Sequence, residues 1–171
     1  MDDLLDVVDE EDKVVGQELY TKIHEEELIH RTSAIFVFKD PSFSEMLITM
    51  RSENVSAPKK LDVPGGHVLA SQSYLECARQ ELQEEVFHKR PLPQSLVLQE
   101  LFKTLSEEGL CKGFVSVFST IYPGPFEKNR EEVDYAFFMS VDKLKKDVRE
   151  KPEKYTETFR AIFKKYWEDF E

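Results

Sequence analysis

Glu81, Glu84 and Glu85 fall within a sector of about 100° on a helical wheel, so an α-helix over this stretch presents them on one face. Carboxylates crowded together repel one another. A hard divalent cation such as Mg²⁺ or Mn²⁺ removes that repulsion, and oxygen-rich clusters of this kind suit such ions. An isolated Glu-Leu-Gln-Glu-Glu string is ordinarily a solvated helix face. Here it follows Val63-Pro64-Gly65-Gly66-His67 after one connecting loop, giving the order strand, glycine turn, loop and acidic helix. The two glycines allow backbone to approach a ligand closely.

Several elements must hold these groups in place. Ser73 and Glu76 match a capping box, and Leu75, Ala78, Leu82 and Val86 recur at helical spacing until Pro91 and Pro93 end the element. Ser33 to Lys39 and Glu45 to Arg51 are apolar runs joined by Asp40-Pro41-Ser42, which predicts a central antiparallel hairpin. Leu96 to Lys103, Gly113 to Tyr122 and Val133 to Ser140 read as further strands, with Gly109 and Pro123-Gly124-Pro125 as breakers. Val14-Val15-Gly16 reads as a short strand ending in a turn, within an N-terminal hairpin or loop that occupies residues 1–30. Gln17 to Glu27 carries Leu19, Ile23 and Glu27 at helical spacing, with a loop as the alternative given its polarity. An amphipathic segment from Leu144 to Arg149 precedes a C-terminal helix in residues 155–171, whose apolar face carries Phe159, Ile162, Phe163 and Tyr166. Strands flanking one mid-chain helix, with another at the end, predict an α/β sandwich around a mixed sheet, within a single domain.

The 171 residues are 40% hydrophobic, enough for one core. With 34 acidic and 23 basic side chains the formal charge is −11, which disfavours polymeric nucleic acid and favours a cation between protein and phosphate. Cys77 and Cys111 are too few for a disulfide scaffold and have no zinc-type spacing. No apolar run approaches membrane-spanning length, and Met1 is followed by acidic residues rather than a secretory signal, so a cytoplasmic protein is expected.

The stretch from Gly66 resembles the box of the Nudix hydrolase family, G-x5-E-x7-R-E-U-x-E-E-x-G-U, where U is aliphatic. Glu81, Leu82, Gln83, Glu84 and Glu85 match E-U-x-E-E. Gln72 stands at the first Glu, Gln80 at the Arg, Phe87 at the closing Gly and His88 at the last aliphatic position. The resemblance implies a Nudix-type α/β/α sandwich and a metal-dependent hydrolase of a small diphosphate-linked substrate. It also implies Glu81, Glu84 and Glu85 as catalytic carboxylates, and Gly65 with these glutamates as holders of Mg²⁺ or Mn²⁺. Glu132 is the first choice for a further ligand from a later loop, against the alternative of an ordinary charged turn around Arg130-Glu131-Glu132. Arg51, Gly66 and His67 are the candidates for contacting substrate.

Outside the box, His24, His30-Arg31-Thr32-Ser33, Arg51-Ser52, Asp62 to Val68 and Tyr155-Thr156 resemble the subgroup related to isopentenyl-diphosphate isomerase. In that pattern His67 is able to ligate a metal with His24 or His30 and Glu132, although a turn histidine packed on the sheet is the favoured reading. The isomerase has Cys where Gly65 stands, which argues against isomerase activity. Cys77 reads as a small helix filler, and Trp167, Phe163 and Tyr166 as packing groups. Losing a charge at Gln72 and a guanidinium clamp at Gln80 weakens the site on paper. Phe87 takes a left-handed helix end less cheaply than Gly, so the helix is expected either to run on toward His88 or to end in another way. The alternative is therefore a degenerate, non-catalytic Nudix domain that binds a ligand or partner.

Overall fold

The computed structural model describes residues 2–88, 90–106 and 112–169; Gly109 and Cys111 lie outside them. The N-terminal hairpin pairs β1 (Leu4–Val8) with β2 (Val14–Leu19), followed by α1 (Tyr20–Glu25). Gly16 does not end the strand. It pairs with Val7, and the ladder continues to Leu19 opposite Leu4. The helix therefore starts at Tyr20 rather than Gln17, and Glu27, at φ 53°, lies beyond it. The hairpin is packed onto the rest of the chain. Leu5, Val8 and Ile23 are buried, and Asp6 accepts from the Ser71 backbone N–H at 3.0 Å. At the hairpin turn, Asp12 accepts from Arg31 Nε at 2.6 Å and from the Tyr74 hydroxyl at 3.0 Å.

The main sheet contains β3 (His30–Phe38), β4 (Glu45–Arg51), β5 (Leu61–Asp62), β6 (Gly65–His67), β7 (Gln99–Ser106), β8 (Gly113–Ile121) and β9 (Val133–Ser140). Its order is β5-β4-β3-β8-β7, with β6 added to β3 and β9 to β4. β3 and β8 are parallel along their whole lengths, so the sheet is mixed. The expected hairpin of β3 and β4 is central, yet the two strands pair in register only at Phe38 and Met46. The rest of that edge of β3 is taken by β6.

β3 is covered on both sides, which is why it reads as an uninterrupted apolar run. Ala34, Phe36 and Phe38 point into a core shared with Phe159, Ile162 and Phe163 of α4 (Glu157–Asp169) and with Leu144 of α3 (Val141–Glu150). Ile35 and Val37 point to the other face, against Ala78, Leu82 and Val86 of α2 (Tyr74–Glu85). Complete burial of each such Phe or Leu contributes about 1.5–3 kcal/mol. The architecture is an α/β/α sandwich.

Four local differences have clear causes. Leu75 is 42% exposed, and buried Cys77 takes the place expected for it on the inner face. Strand β7 starts at Gln99 rather than Leu96, because Leu96 is buried from the preceding loop. The glycines after Pro64 form a short strand, not a tight turn, and neither has a positive φ. Helix α2 stops at Glu85 despite lacking a glycine, since His88 adopts the left-handed conformation at φ 47° and Phe87 is buried against Tyr122, ring centroids 4.7 Å apart.

Candidate active site

α2 begins at a complete capping box. The Ser73 side chain accepts from Glu76 N, and the Glu76 carboxylate accepts from the Ser73 backbone N–H at 2.8 Å. Such a cap contributes about 1 kcal/mol and fixes where the helix starts, and hence which way each glutamate points. β6 then passes directly under the helix. A Cβ on Gly66 would lie 2.4 Å from Glu81 Oε1, and one on Gly65 2.3 Å from the Ser33 carbonyl. The first glycine is needed by the site and the second by the sheet.

Glu132 reaches the helix because its loop is hydrogen-bonded to the C-terminal end of α2. Glu127 N–H donates to the Val86 carbonyl at 2.9 Å, and Asn129 N–H to that of Glu85 at 3.3 Å. Asn129 Nδ2 also donates to Glu132 Oε1 at 2.6 Å. As a result Glu81, Glu85 and Glu132 each offer a carboxylate oxygen, and these atoms lie within 4.8 Å of one another. Glu84 lines the same cleft but stands apart from that group, accepting from Gln80 Nε2 at 3.2 Å.

This arrangement opposes ionisation. Burial, then Glu84 and Glu132, raise the Glu81 pKa to about 7. Glu85 is only 8% exposed, and burial followed by Glu81 and Glu132 pushes its pKa well above the ordinary carboxylate range. A buried carboxylate group that resists charge in the absence of a cation is a donor set that fits a hard divalent ion.

A single guanidinium lines both the carboxylate cleft and a second pocket on the α4 side of the sheet. Arg51 Nε donates to the Ser56 carbonyl at 2.7 Å, Nη2 to Ser56 Oγ at 3.0 Å, and Nη1 lies 3.5 Å from Asp62 Oδ2. Gly65, Gly66 and His67 also line both pockets.

His67 is not an isolated turn residue. It meets His24 and His30, with one ring nitrogen of each within 4.8 Å of the others. His30 Nδ1 is 2.9 Å from the Leu28 carbonyl, which fixes Nδ1 as the donor and turns the lone pair of the buried Nε2 elsewhere. Burial, with His30 and His24 adding to it, lowers the His67 pKa to about 3, so that imidazole is neutral. Neutral imidazoles suit borderline metals. Glu132, which the sequence pattern associates with them, belongs instead to the glutamate group.

The NUDIX domain model matches residues 29–159. The chain belongs to the Nudix family. It is 30% identical over 142 residues to an uncharacterised Nudix hydrolase of Yersinia pestis, covering 82% of this chain and 74% of that one. It is also 28% identical over 167 residues to an isopentenyl-diphosphate Δ-isomerase of Serratia proteamaculans, covering 96% and 91%. Among solved structures, a Deinococcus radiodurans protein superimposes with a TM-score of 0.79 at 23% identity, covering 95% and 98% of the two chains.

Within the Nudix box, two of the altered positions are in contact with one another. Gln72 Nε2 donates to Gln80 Oε1 at 2.9 Å, while Gln72 Oε1 accepts from the Leu69 N–H at 3.0 Å. Gln80 thus does hold a glutamate, by one hydrogen bond from a neutral amide rather than a charged fork. Cys77 Sγ lies 3.6 Å and 3.5 Å from the carbonyls of Gly66 and His67, and burial pushes its thiol up to about 12, as befits a filler. Phe163 packs on Trp167 at 4.9 Å and on Phe36 at 6.4 Å, leaving the C-terminal aromatics structural. Sequence reasoning overlooked Ser56, and it named Asp62 and Thr156 only within the isomerase-like pattern, without placing them at a pocket. The alternation Leu61-Asp62-Val63, with both apolar neighbours buried, is the signal that sets Asp62 apart.

Proposed function

We propose that this protein hydrolyses a diphosphate linkage in a small substrate with Mg²⁺ or Mn²⁺, and that the cleft between β6 and α2 is where it does so. The observation that carries this reading is the meeting of Glu81, Glu85 and Glu132 beside Gly66, with Arg51 at the mouth of the same cleft. Glu81, Glu85 and Glu132, with the Gly65 carbonyl, would hold the cation, and Glu84 adds negative charge alongside. When bound, the ion supplies charge neutralisation and polarisation of phosphorus.

The chain's own groups do the rest. Arg51, fixed by Ser56 and Asp62, presents its guanidinium to the diphosphate, and the Gly66 backbone permits close approach. Neutral His67 offers a hydrogen bond without adding charge. A carboxylate of this group not fully engaged by the cation, with Glu81 the first choice, is suited to take the proton from the attacking water. Gly65 in place of a thiol argues against isomerase chemistry. Among the described residues no helix is long and apolar enough to cross a membrane, and the charge of −11 disfavours polymeric nucleic acid as substrate.

The test is a panel of nucleotide sugars, dinucleoside polyphosphates, nucleoside triphosphates and isoprenoid diphosphates, assayed with each metal. Turnover abolished by Glu85→Gln supports hydrolysis. Tight binding of metal and diphosphate with no turnover across the panel would mark a binding module instead.

A further inference from the structure

The loop that carries Glu132 is pinned on two sides by main-chain hydrogen bonds. Glu127 and Asn129 N–H donate to the carbonyls of Val86 and Glu85, and the Ser52 N–H, directly after β4, donates to the carbonyl of Glu132 at 2.9 Å. These bonds fix the Glu132 backbone. Its long side chain must still lose rotamer freedom to keep the carboxylate beside Glu81 and Glu85.

Asn129 removes that freedom. The residue is 7% exposed, its Nδ2 donates to Glu132 Oε1 at 2.6 Å, and its Oδ1 accepts from the Glu131 backbone N–H at 3.1 Å. The second contact settles the first. A backbone N–H only donates, so the amide oxygen must face Glu131 and the amide NH₂ must face Glu132. Through its own N–H on the Glu85 carbonyl, this one buried residue is bonded to two members of the glutamate group. A hydrogen bond onto a carboxylate is charge-assisted and directional, yet the amide that makes it is neutral. Lysine or arginine here would neutralise Glu132 and compete with a cation. The amide aims the carboxylate and leaves its charge in place, and one such bond does not exhaust about four acceptor positions.

We propose that Asn129 is a positioning residue of the cation site and acts through Glu132, its amide donor setting that carboxylate in place before the ion arrives. The proposal rests on the reading of Glu81, Glu85 and Glu132 as ligands of Mg²⁺ or Mn²⁺.

The test is calorimetric titration of Mn²⁺, without substrate, into the wild type, Asn129→Ala, Glu132→Ala and the double variant. Asn129→Ala is expected to weaken Mn²⁺ binding about tenfold or more, the scale of losing a hydrogen-bonded partner of a metal ligand. In the Glu132→Ala background the same substitution should change the affinity by less than about twofold, because the group it acts through has gone. Asn129→Ser separates aiming from loop structure. Its hydroxyl is able to accept from the Glu131 N–H in place of Oδ1 but is too short to reach Glu132 Oε1. This variant should bind Mn²⁺ as weakly as Asn129→Ala while melting closer to the wild type in EDTA, and it carries the cycle if Asn129→Ala does not fold. Equal losses from Asn129→Ala with and without Glu132, or wild-type affinity in Asn129→Ser, overturn the proposal and leave the cation site standing. If the wild type itself binds no Mn²⁺, the reading of the glutamate group falls together with the proposal.

Discussion

Gln72 and Gln80, the two glutamines that replace charged residues of the Nudix box, are hydrogen-bonded to each other at 2.9 Å, and Gln80 passes the contact on to Glu84 at 3.2 Å. A charged pair has become a neutral relay that still ends on a glutamate. The relay is solvent-exposed and ends on Glu84, which adds charge beside the ligand group rather than belonging to it, so its contribution should sit no higher than the lower end of what outer partners of metal ligands provide. Gln80→Leu is expected to lower kcat/KM about tenfold. If Gln72 acts through Gln80, adding Gln72→Leu to that variant should change little, whereas independent roles would give multiplied losses. Steady-state kinetics on the four proteins of this cycle decide between them.

Gly65 and Gly66 are adjacent in β6 but should fail differently. An alanine at 66 meets the flexible end of Glu81, with Oε1 at 2.4 Å, and displaces that carboxylate at little cost to the fold. An alanine at 65 meets the backbone of Ser33 at 2.3 Å and forces the sheet to shift. Gly66→Ala should therefore retain its melting temperature within about 3 °C, while Gly65→Ala melts lower by about 5 °C or more. Activity should fall in both, and in Gly66→Ala without a stability defect to account for it. Melting curves beside initial rates test this.

Much of this site was legible in the sequence because helical periodicity and one capping box determine where the box glutamates point. Their partners were less accessible. Glu132 joins Glu81 and Glu85 through backbone hydrogen bonds from residues 127 and 129 to the end of α2, and no spacing rule encodes that contact. The histidines come from three elements, α1, β3 and β6, and His67 lies 37 residues beyond His30. How α2 ends was left open by the sequence for a local reason: closure falls to His88 in a left-handed conformation, which glycine-based rules do not anticipate. Leu75 shows the limit of periodicity, since the first turn of α2 leaves an in-phase apolar residue exposed.

Stability of the metal-free protein should fall as pH rises from 6.5 to 8. Glu81, at about 7 in the folded chain, and Glu85, raised further, bind protons more tightly folded than unfolded. Their contribution is therefore present below the unfolded carboxylate value and is lost as pH climbs through the folded one. His30 and His67 act in the opposite direction, because their lowered values favour the fold above about 6.5 and oppose it on acidification. Above that pH both are neutral and the carboxylates dominate. Thermal melts in EDTA should show a decline of several degrees across this interval, and Mn²⁺ should remove most of it. A flat profile in EDTA would refute the crowding of these carboxylates.

Glu85→Gln separates chemistry from folding. The amide keeps the shape of a side chain that is 8% exposed while removing a charge that the metal-free cleft resists. In EDTA at pH 8 the variant should melt above the wild type. With Mn²⁺ the order should reverse: a ligand bound only by the folded state stabilises it by about 2.7 kcal/mol at a hundred times its Kd, and a variant lacking this carboxylate forfeits most of that gain. Turnover should drop at least about a hundredfold, the scale expected when a group stabilising developing charge is removed. A variant that loses activity yet gains as much from Mn²⁺ as the wild type would show that Glu85 acts on substrate rather than on the cation, and would reassign the ion to Glu81, Glu84 and Glu132.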